Sequence, residues 1–138
     1  MDYNITEYME YNEQEILPLY ESVGWVNYTK SPRMLKEAYS HSLRIYAVYV
    51  DNKLVGVIRV VGDGFSVVFV QDLLVYPEYQ GQGIGTALLK KIMEEYHGVY
   101  QLHVLTDNTE KTVAFYKSLG FAMGTDMDCR AFSKYCFG

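Results

Sequence analysis

A glycine-rich stretch is the part of this sequence whose residue types and spacing point most directly to chemistry. It reads Gln80-Gly81-Gln82-Gly83-Ile84-Gly85-Thr86. Alternating glycines let the backbone turn several N–H groups toward one point, and the missing Cβ atoms let a ligand approach closely. At the start of a helix such N–H groups lack partners and attract anions, above all phosphate. The alternative is a loop that only makes a tight turn.

The residues on either side of the loop predict a strand before it and a helix after it. Apolar and β-branched residues dominate 67–75, and Pro77 ends this strand because it has no N–H group to donate. From Ile84 onward, apolar residues recur at helical spacing, among them Leu88 and Ile92. The glycines therefore lie where a strand gives way to the first turn of a helix.

Two common nucleotide-binding motifs are absent from this stretch. The dinucleotide fingerprint G-x-G-x-x-G/A fails because Thr86 occupies its last position. The P-loop needs a Gly-Lys pair, and the sequence contains none. The spacing therefore excludes the usual nucleotide-binding proteins while leaving the anion-binding interpretation open.

The spacing that remains is Gln80-x-x-Gly83-x-Gly85 after a strand ending in Val75-x-Pro77. It resembles the acetyl-CoA-binding signature of the GNAT family, the GCN-related N-acetyltransferases. A second segment, with Asn108 and then Tyr116-x-x-x-Gly-Phe, is similar to another motif of that family. The resemblance covers essentially the whole chain, and it is strongest toward small arylalkylamine or serotonin-type N-acetyltransferase-like members.

The coarse order of predicted elements agrees with this resemblance. Strands and helices alternate as β-α-α-β-β-β-α-β-α-β-β, which predicts an α/β fold in one domain, 1–138. The resemblance implies a mixed, largely antiparallel sheet of about seven strands, splayed at the cofactor site and flanked by four helices. The last two strands are expected at 121–124 and 131–135.

The resemblance implies that acetyl-CoA binds along the end of the strand and over the glycine loop. The cofactor-binding residues that it implies are Leu73, Leu74, Val75, Gln80, Gly81, Gln82, Gly83, Ile84, Gly85, Thr86, Asn108 and Tyr116. Where the strand splays, its freed backbone groups would pair with the pantetheine arm, and the N–H group of Leu74 would donate to the thioester oxygen. Asn108 has the alternative role of capping the last helix.

Acid–base chemistry is assigned to Tyr116 and Asp72. The family places a tyrosine at the position of Tyr116 as the acid that protonates the leaving thiolate, whereas the alternative is a packing tyrosine, one of 14 in the chain. Asp72 is an acid among apolar neighbours, which makes it a candidate base for the amine. The alternative is that Asp72 points outward or pairs with a nearby base such as Arg59.

Aromatic residues near the first two predicted helices are candidates for the acceptor pocket. Trp25, Tyr28 and Tyr20 would suit an apolar or aromatic amine. The alternative is that they form a helix-packing core. The resulting expectation is acetyl transfer to a primary amine of a small molecule by direct attack in a ternary complex. Other readings are a non-catalytic CoA-binding sensor or an acetyltransferase acting on protein lysines or N-termini.

Bulk composition narrows the partners and the compartment. With 138 residues, 49% hydrophobic content and a net charge of −5, the chain reads as a globular domain without a basic surface for nucleic acid. No apolar run is long enough for a membrane helix, and the polar start predicts no signal peptide. We expect a cytoplasmic protein with no metal site, in which Cys129 and Cys136 are reduced and structural. The sequence does not determine the oligomeric state, and a homodimer is one possibility.

Overall fold

The computed structural model describes residues 2–136 and consists of two compact units. The first extends to Leu105 and the second begins at Thr106. The first unit contains the strands β1 (Asn4–Glu7), β2 (Arg44–Val50), β3 (Lys53–Gly62), β4 (Val67–Val75) and β5 (Gln101–Val104). It also contains the helices α1 (Glu13–Ser22), α2 (Val26–Thr29), α3 (Pro32–Ser40) and α4 (Ile84–Glu95), and the second unit contains α5 (Glu110–Ser118).

The sheet of the first unit has five strands in sequence order from β1 to β5. The first four pair as antiparallel neighbours, and β5 pairs with β4 in parallel. A parallel neighbour needs a crossover connection, and α4 supplies it. This is the mixed, largely antiparallel sheet that the sequence predicts.

The helix boundaries follow local signals in the sequence. Asn12 caps α1 by accepting a hydrogen bond from the N–H group of Gln14 at 3.0 Å. Pro32 begins α3, where its missing N–H costs nothing. Gly24 follows α1 with φ of +81°, a conformation that glycine adopts without strain.

The apolar interior of the first unit lies on both faces of the sheet. One buried cluster joins residues of α1 and α3 to the sheet, including Ile16, Leu19, Leu35, Val57 and Leu74. Buried residues of α4 (Ile84, Leu88, Leu89 and Ile92) form its apolar stripe at helical spacing. The middle strands β3 and β4 are thereby held firmly up to the point where the glycine loop begins.

The strand count differs from the prediction, because neither 121–124 nor 131–135 forms a strand. The backbone N–H group of Phe121 donates instead to the carbonyl of Tyr116 at 3.1 Å, and that of Cys129 donates to Gly124 at 2.7 Å. These local bonds fold the chain into a helix end and a 3₁₀ turn (Gly124–Met127). These local bonds use backbone groups that a strand would need for pairing with a neighbour.

The two cysteines contribute nothing to an apolar interior. Cys129 and Cys136 are both free and exposed, so the expected structural role is wrong. Within residues 2–136, none of the helices is long and apolar enough to cross a membrane. The described residues also contain no cluster of side chains suited to hold a metal ion.

Candidate functional site

The glycine loop connects the end of β4 to the start of α4 with two left-handed residues. Gly81 has φ of +78° and Gly83 has φ of +87°, and a Cβ atom added at either would meet nothing within 4 Å. The space that both glycines leave is therefore open to a ligand. Gln80 anchors the loop, since its side-chain amide donates to the carbonyl of Val75 at 2.9 Å.

The N–H groups at the start of α4 lack protein partners. The helix begins at Ile84 without a side-chain cap, and Ala87 donates the first helical bond, to Gly83, at 2.9 Å. In the described part of the chain, no acceptor pairs with the N–H groups from Gly81 to Thr86. These groups and the helix dipole together make a site for an anion such as a diphosphate.

The second feature is an edge of β4 that has no neighbouring strand. Parallel pairing with β5 covers Val67 to Val70 and ends at the pair Val70 and Val104. Strand β4 continues to Val75 while it remains paired to β3 on its other side. Over residues 2–136, the stretch from Gln71 to Val75 therefore presents one free edge beyond its last pair with β5.

The backbone alternation decides which groups face this free edge. The N–H group of Tyr76 donates across to Val55 of β3 at 2.9 Å. Residues two apart in an antiparallel strand direct their polar groups to the same side, so Leu74, opposite Val57, also faces β3. Leu73 and Val75 direct their N–H and C=O groups to the free edge. The assignment of a freed N–H group to Leu74 is thus wrong by one residue.

A β-bulge sits where the free edge begins. Asp72 lies opposite Arg59 and Val70 lies opposite Val60, so Gln71 is an extra residue without a partner on β3. The bulge re-aims the side chains that follow it. It leaves Gln71 exposed and turns Asp72 inward, where 1% of the aspartate remains exposed.

Asp72 is the centre of a buried polar cluster rather than an open carboxylate. Its Oδ2 atom accepts hydrogen bonds from Arg59 Nε and from the hydroxyl of Tyr20, both at 2.7 Å. Its Oδ1 atom accepts from the hydroxyl of Tyr28 at 3.3 Å. The ion pair with Arg59 is the alternative that the sequence left open for Asp72. Burial is the largest single influence on the pKa of Arg59 and acts to lower it, but the charge of Asp72, the hydrogen bond to Asp72 and the neighbouring tyrosines together keep this pKa raised.

Three aromatic residues predicted for a pocket do come together, but in different environments. The rings of Trp25 and Tyr28 stack with centroids 6.1 Å apart, and that of Tyr20 meets Tyr28 edge-on at 5.3 Å. Trp25 is 37% exposed and Tyr28 is half-buried, whereas Tyr20 is fully buried. Tyr20 therefore belongs to the core, and its expected place in the lining of an open pocket is wrong.

The second unit contains the remaining two predicted site residues. Tyr116 is half-buried on α5 between the rings of Phe115 and Phe121, at centroid distances of 5.0 and 5.5 Å. Burial, and to a lesser extent the charge of Asp107, raises the pKa of Tyr116 to about 12. The cap of α5 is Thr109, which accepts from the N–H group of Thr112 at 3.2 Å. Asn108 is therefore not the helix cap that its alternative role required.

Two residues that position the site were not predicted from the sequence. Gly56 of β3 lies opposite Val75, where an added Cβ would come 3.0 Å from the carbonyl oxygen of Leu74. A glycine inside a strand is a recognised sign of close backbone approach. Gln71, the extra residue of the bulge, donates from its amide to the hydroxyl of Tyr28 at 3.4 Å, a contact that no sequence pattern indicates.

Comparison with known proteins places these features in a family. The family model of the acetyltransferase (GNAT) domain matches residues 41–123, which include β2 to β5, the glycine loop and α5. A solved GNAT family acetyltransferase from Streptococcus pneumoniae TIGR4 is 41% identical, with a TM-score of 0.88 over 98% of both chains.

Two more distant similarities point in the same direction. An uncharacterized N-acetyltransferase, ycf52, of Gracilaria tenuistipitata var. liui is 30% identical over 83% of this chain, which spans 64% of that relative's length. A GNAT family acetyltransferase from Elizabethkingia anophelis, solved with acetyl-CoA bound, is 17% identical and has a TM-score of 0.64. The match covers 87% of this chain and 76% of the Elizabethkingia anophelis chain, and it supports the fold alone.

Proposed function

Because the chain belongs to the GNAT family of acetyltransferases, whose acyl donor is acetyl-CoA, we propose that it acetylates a primary amine of a small molecule. The amine attacks directly in a ternary complex with the donor. The observation that carries this proposal is the continuity between the free edge of β4, which ends at Val75, and the unpaired N–H groups from Gly81 onward. Acetyl-CoA supplies the activated thioester when it is bound.

The loop holds the diphosphate through the backbone rather than through basic side chains. The N–H groups of Gly81, Gln82, Gly83, Ile84, Gly85 and Thr86 form this part of the site, and Gln80 fixes its geometry. The loop itself contains no lysine or arginine. The attraction therefore depends on the helix dipole and on directed N–H groups, which discriminate by shape as well as by charge.

The free edge of β4 holds the amide-rich arm as an added strand would. Leu73 offers its N–H and C=O groups there and Val75 its N–H group, since the Val75 carbonyl already accepts from Gln80. The apolar side chain of Leu74 is buried in the core. The N–H group of Leu73 donates to the acyl oxygen, where negative charge develops during transfer. A fixed backbone donor at that point stabilises the transition state without reorganisation.

Tyr116 is our proposed acid for the departing thiolate. Its raised pKa of about 12 keeps the phenol protonated across the neutral range, which an acid requires. Asn108, free of the capping role, is proposed to bind the donor near its sulfur. Both assignments rest on the family motif and on the local environment of each residue within the second unit.

The acceptor is proposed to bind against Trp25 and Tyr28. Their stacked rings leave an aromatic surface partly open to solvent beside Gln71, two residues before Leu73. An amine carried on an apolar or aromatic group would bury that surface. The two free cysteines fit a reducing compartment, and we propose the cytoplasm as the place of action.

Two measurements test this function. Thermal unfolding is followed with acetyl-CoA, free CoA and ATP, and we expect selective stabilisation by both CoA species, because a ligand that binds only the folded state raises its stability. Free-thiol release from acetyl-CoA is then followed with tryptamine, spermidine, glucosamine 6-phosphate and a lysine-containing peptide. Turnover of the peptide alone would favour a protein acetyltransferase. Stabilisation by CoA without any transfer would favour a sensor module.

A further inference from the structure

The hydroxyl of Tyr28 is the member of the Asp72 cluster that a ligand can reach. Asp72 is 1% exposed, Arg59 4% and Tyr39 6%, and Tyr20 is fully buried. Tyr28 is half-buried at the edge of this cluster, beneath the exposed ring of Trp25. An acceptor that approaches β4 from this side meets Tyr28 before any other polar group of the cluster.

The direction of each hydrogen bond leaves an acceptor position on the oxygen of Tyr28. A phenol has one proton, and Tyr28 donates it to Asp72 Oδ1 at 3.3 Å, since a carboxylate paired with Arg59 only accepts. The amide of Gln71 donates to the same oxygen at 3.4 Å. Burial raises the pKa of Tyr28, with a further contribution from the charge of Asp72, so this proton stays in place.

The oxygen atoms of Asp72 are, by contrast, fully engaged by the protein. Oδ2 faces Arg59 and Tyr20, and Tyr20 in turn contacts the hydroxyl of Tyr39 at 2.9 Å. Because Tyr20 gives its single proton to Asp72, Tyr39 must be the donor in that contact. Asp72 is thus the final acceptor of a chain of hydrogen-bond donors inside the core, and it can act on a bound ligand only through Tyr28.

Both bonds of Tyr28 are longer than the 2.7 Å bonds around Oδ2. Hydrogen bonds of groups that contact substrate are often long in a free enzyme and shorten when the substrate binds. The position of Tyr28 also suits such a contact, because Gln71 and Asp72 immediately precede Leu73, whose N–H group faces the free edge of β4.

We propose that the Tyr28 oxygen accepts a hydrogen bond from an N–H of the acceptor amine, and that Gln71 and Asp72 are positioning residues that orient this oxygen. This rests on the proposed function and names the contact that aims the nitrogen lone pair at the acyl carbon. Asp72 is then not the general base that the sequence suggested, and the proton released by the amine passes to solvent rather than to a buried carboxylate.

The test is a double-mutant cycle on the acceptor side of the reaction. Tyr28→Phe removes the hydroxyl and keeps the ring stacked on Trp25, and we expect it to raise the KM for the best amine of the panel about 3- to 10-fold, as loss of one hydrogen bond predicts. The KM for acetyl-CoA stays unchanged. Gln71→Ala has a smaller effect in the same direction, and that effect disappears in the Tyr28→Phe background because both act through one oxygen.

Controls separate this inference from the function on which it rests. Tyr100→Phe alters a tyrosine that is 81% exposed and outside the site, and it should leave both KM values unchanged. If an amine is acetylated but Tyr28→Phe matches the wild type, or if Gln71→Ala acts independently, the inference fails while the function stands. If no amine turns over, calorimetric titration of tryptamine into the CoA complex replaces the kinetics. Equal binding by both proteins, or no binding by the wild type, then overturns the inference.

Discussion

Gly56 of β3 and Leu74 of β4 approach so closely that any side chain at position 56 would crowd the neighbouring strand. A Cβ atom at Gly56 would lie 3.0 Å from the carbonyl oxygen of Leu74 and 3.3 Å from a methyl group of Val75. The next atom, at 3.4 Å, belongs to Ile84, the first residue of α4. One glycine therefore lets β3 lie close both to the free-edged strand β4 and to the helix that follows the loop.

Replacing this glycine should damage stability and donor binding together. We expect Gly56→Ala to lower the free energy of unfolding by about 1–3 kcal/mol, the usual cost of overpacking a close contact. Because the end of β4 and the start of α4 must then move away from β3, the Kd for CoA should also rise. Denaturant unfolding and calorimetry measure the two effects. Gly98→Ala is the matched control, since its Cβ would meet nothing within 4 Å and its φ is ordinary; equal effects of both changes would contradict the packing argument.

Gly83 should be needed for binding more than for folding. An alanine there meets no atom within 4 Å but must adopt φ of +87°, which costs about 1–2 kcal/mol. Any relaxation away from this angle turns the N–H groups of the loop away from their common point. We therefore expect Gly83→Ala to weaken CoA binding at least tenfold, measured by calorimetry.

A glycine with the same backbone angle supplies the comparison for Gly83. Gly24 has φ of +81° and equally open surroundings, but it follows α1 rather than the loop. Gly24→Ala should therefore cost similar stability and leave CoA binding intact. Weakened CoA binding in both variants would show that strain alone, and not the loop geometry, explains the loss.

The two neighbouring amides of Leu73 and Leu74 should differ in what they support. Amide-to-ester replacement at Leu73 removes the N–H group that faces the free edge, and we expect kcat to fall by about 10²–10³, as for other oxyanion donors. The same replacement at Leu74 removes a bond to β3 and should lower stability with less effect on kcat. The reverse pattern in single-turnover kinetics would restore the original assignment to Leu74.

Tyr116 should control the chemical step without affecting donor binding. Tyr116→Phe keeps the ring between Phe115 and Phe121, so we expect unchanged CoA affinity and a kcat reduced by about 10²-fold or more.

The pH dependence of the wild-type protein tests the same assignment. Since the pKa of Tyr116 is raised to about 12, its protonated form persists as pH rises, and wild-type kcat should not decline between pH 7 and about pH 10. A decline centred near pH 9 would assign the acid to another group.

The sequence predicted the family, the cofactor and the anion-binding loop because these depend on local chemistry. Gly81, Gly83 and the apolar spacing after Ile84 act within a few residues of one another. The comparisons confirm the GNAT family, whose acyl donor is acetyl-CoA. The fold class is also confirmed, although the sheet has five strands rather than about seven.

The errors arose where distant parts of the chain decide the outcome. Which amide of β4 faces the free edge depends on its register with β3, and a single step of register exchanges Leu73 for Leu74. For Asp72 the sequence left two alternatives open, and the choice of the ion pair depends on Arg59 thirteen residues away and on the bulge at Gln71. The burial of Tyr20 similarly follows from helix packing that composition does not reveal.

Strand β4 is longer than its parallel neighbour β5, and this difference has a consequence for the protein without acetyl-CoA. Up to Val70, strand β4 has a neighbouring strand on each side, so that its amide protons face either β3 or β5, whereas those of Leu73 and Val75 face the free edge. We expect these two to exchange rapidly with deuterium in the ligand-free protein and to become protected when CoA is added. Bound acetyl-CoA would then complete the hydrogen bonding of the sheet, because its pantetheine arm would pair with the free edge of β4 while its acetyl group is transferred.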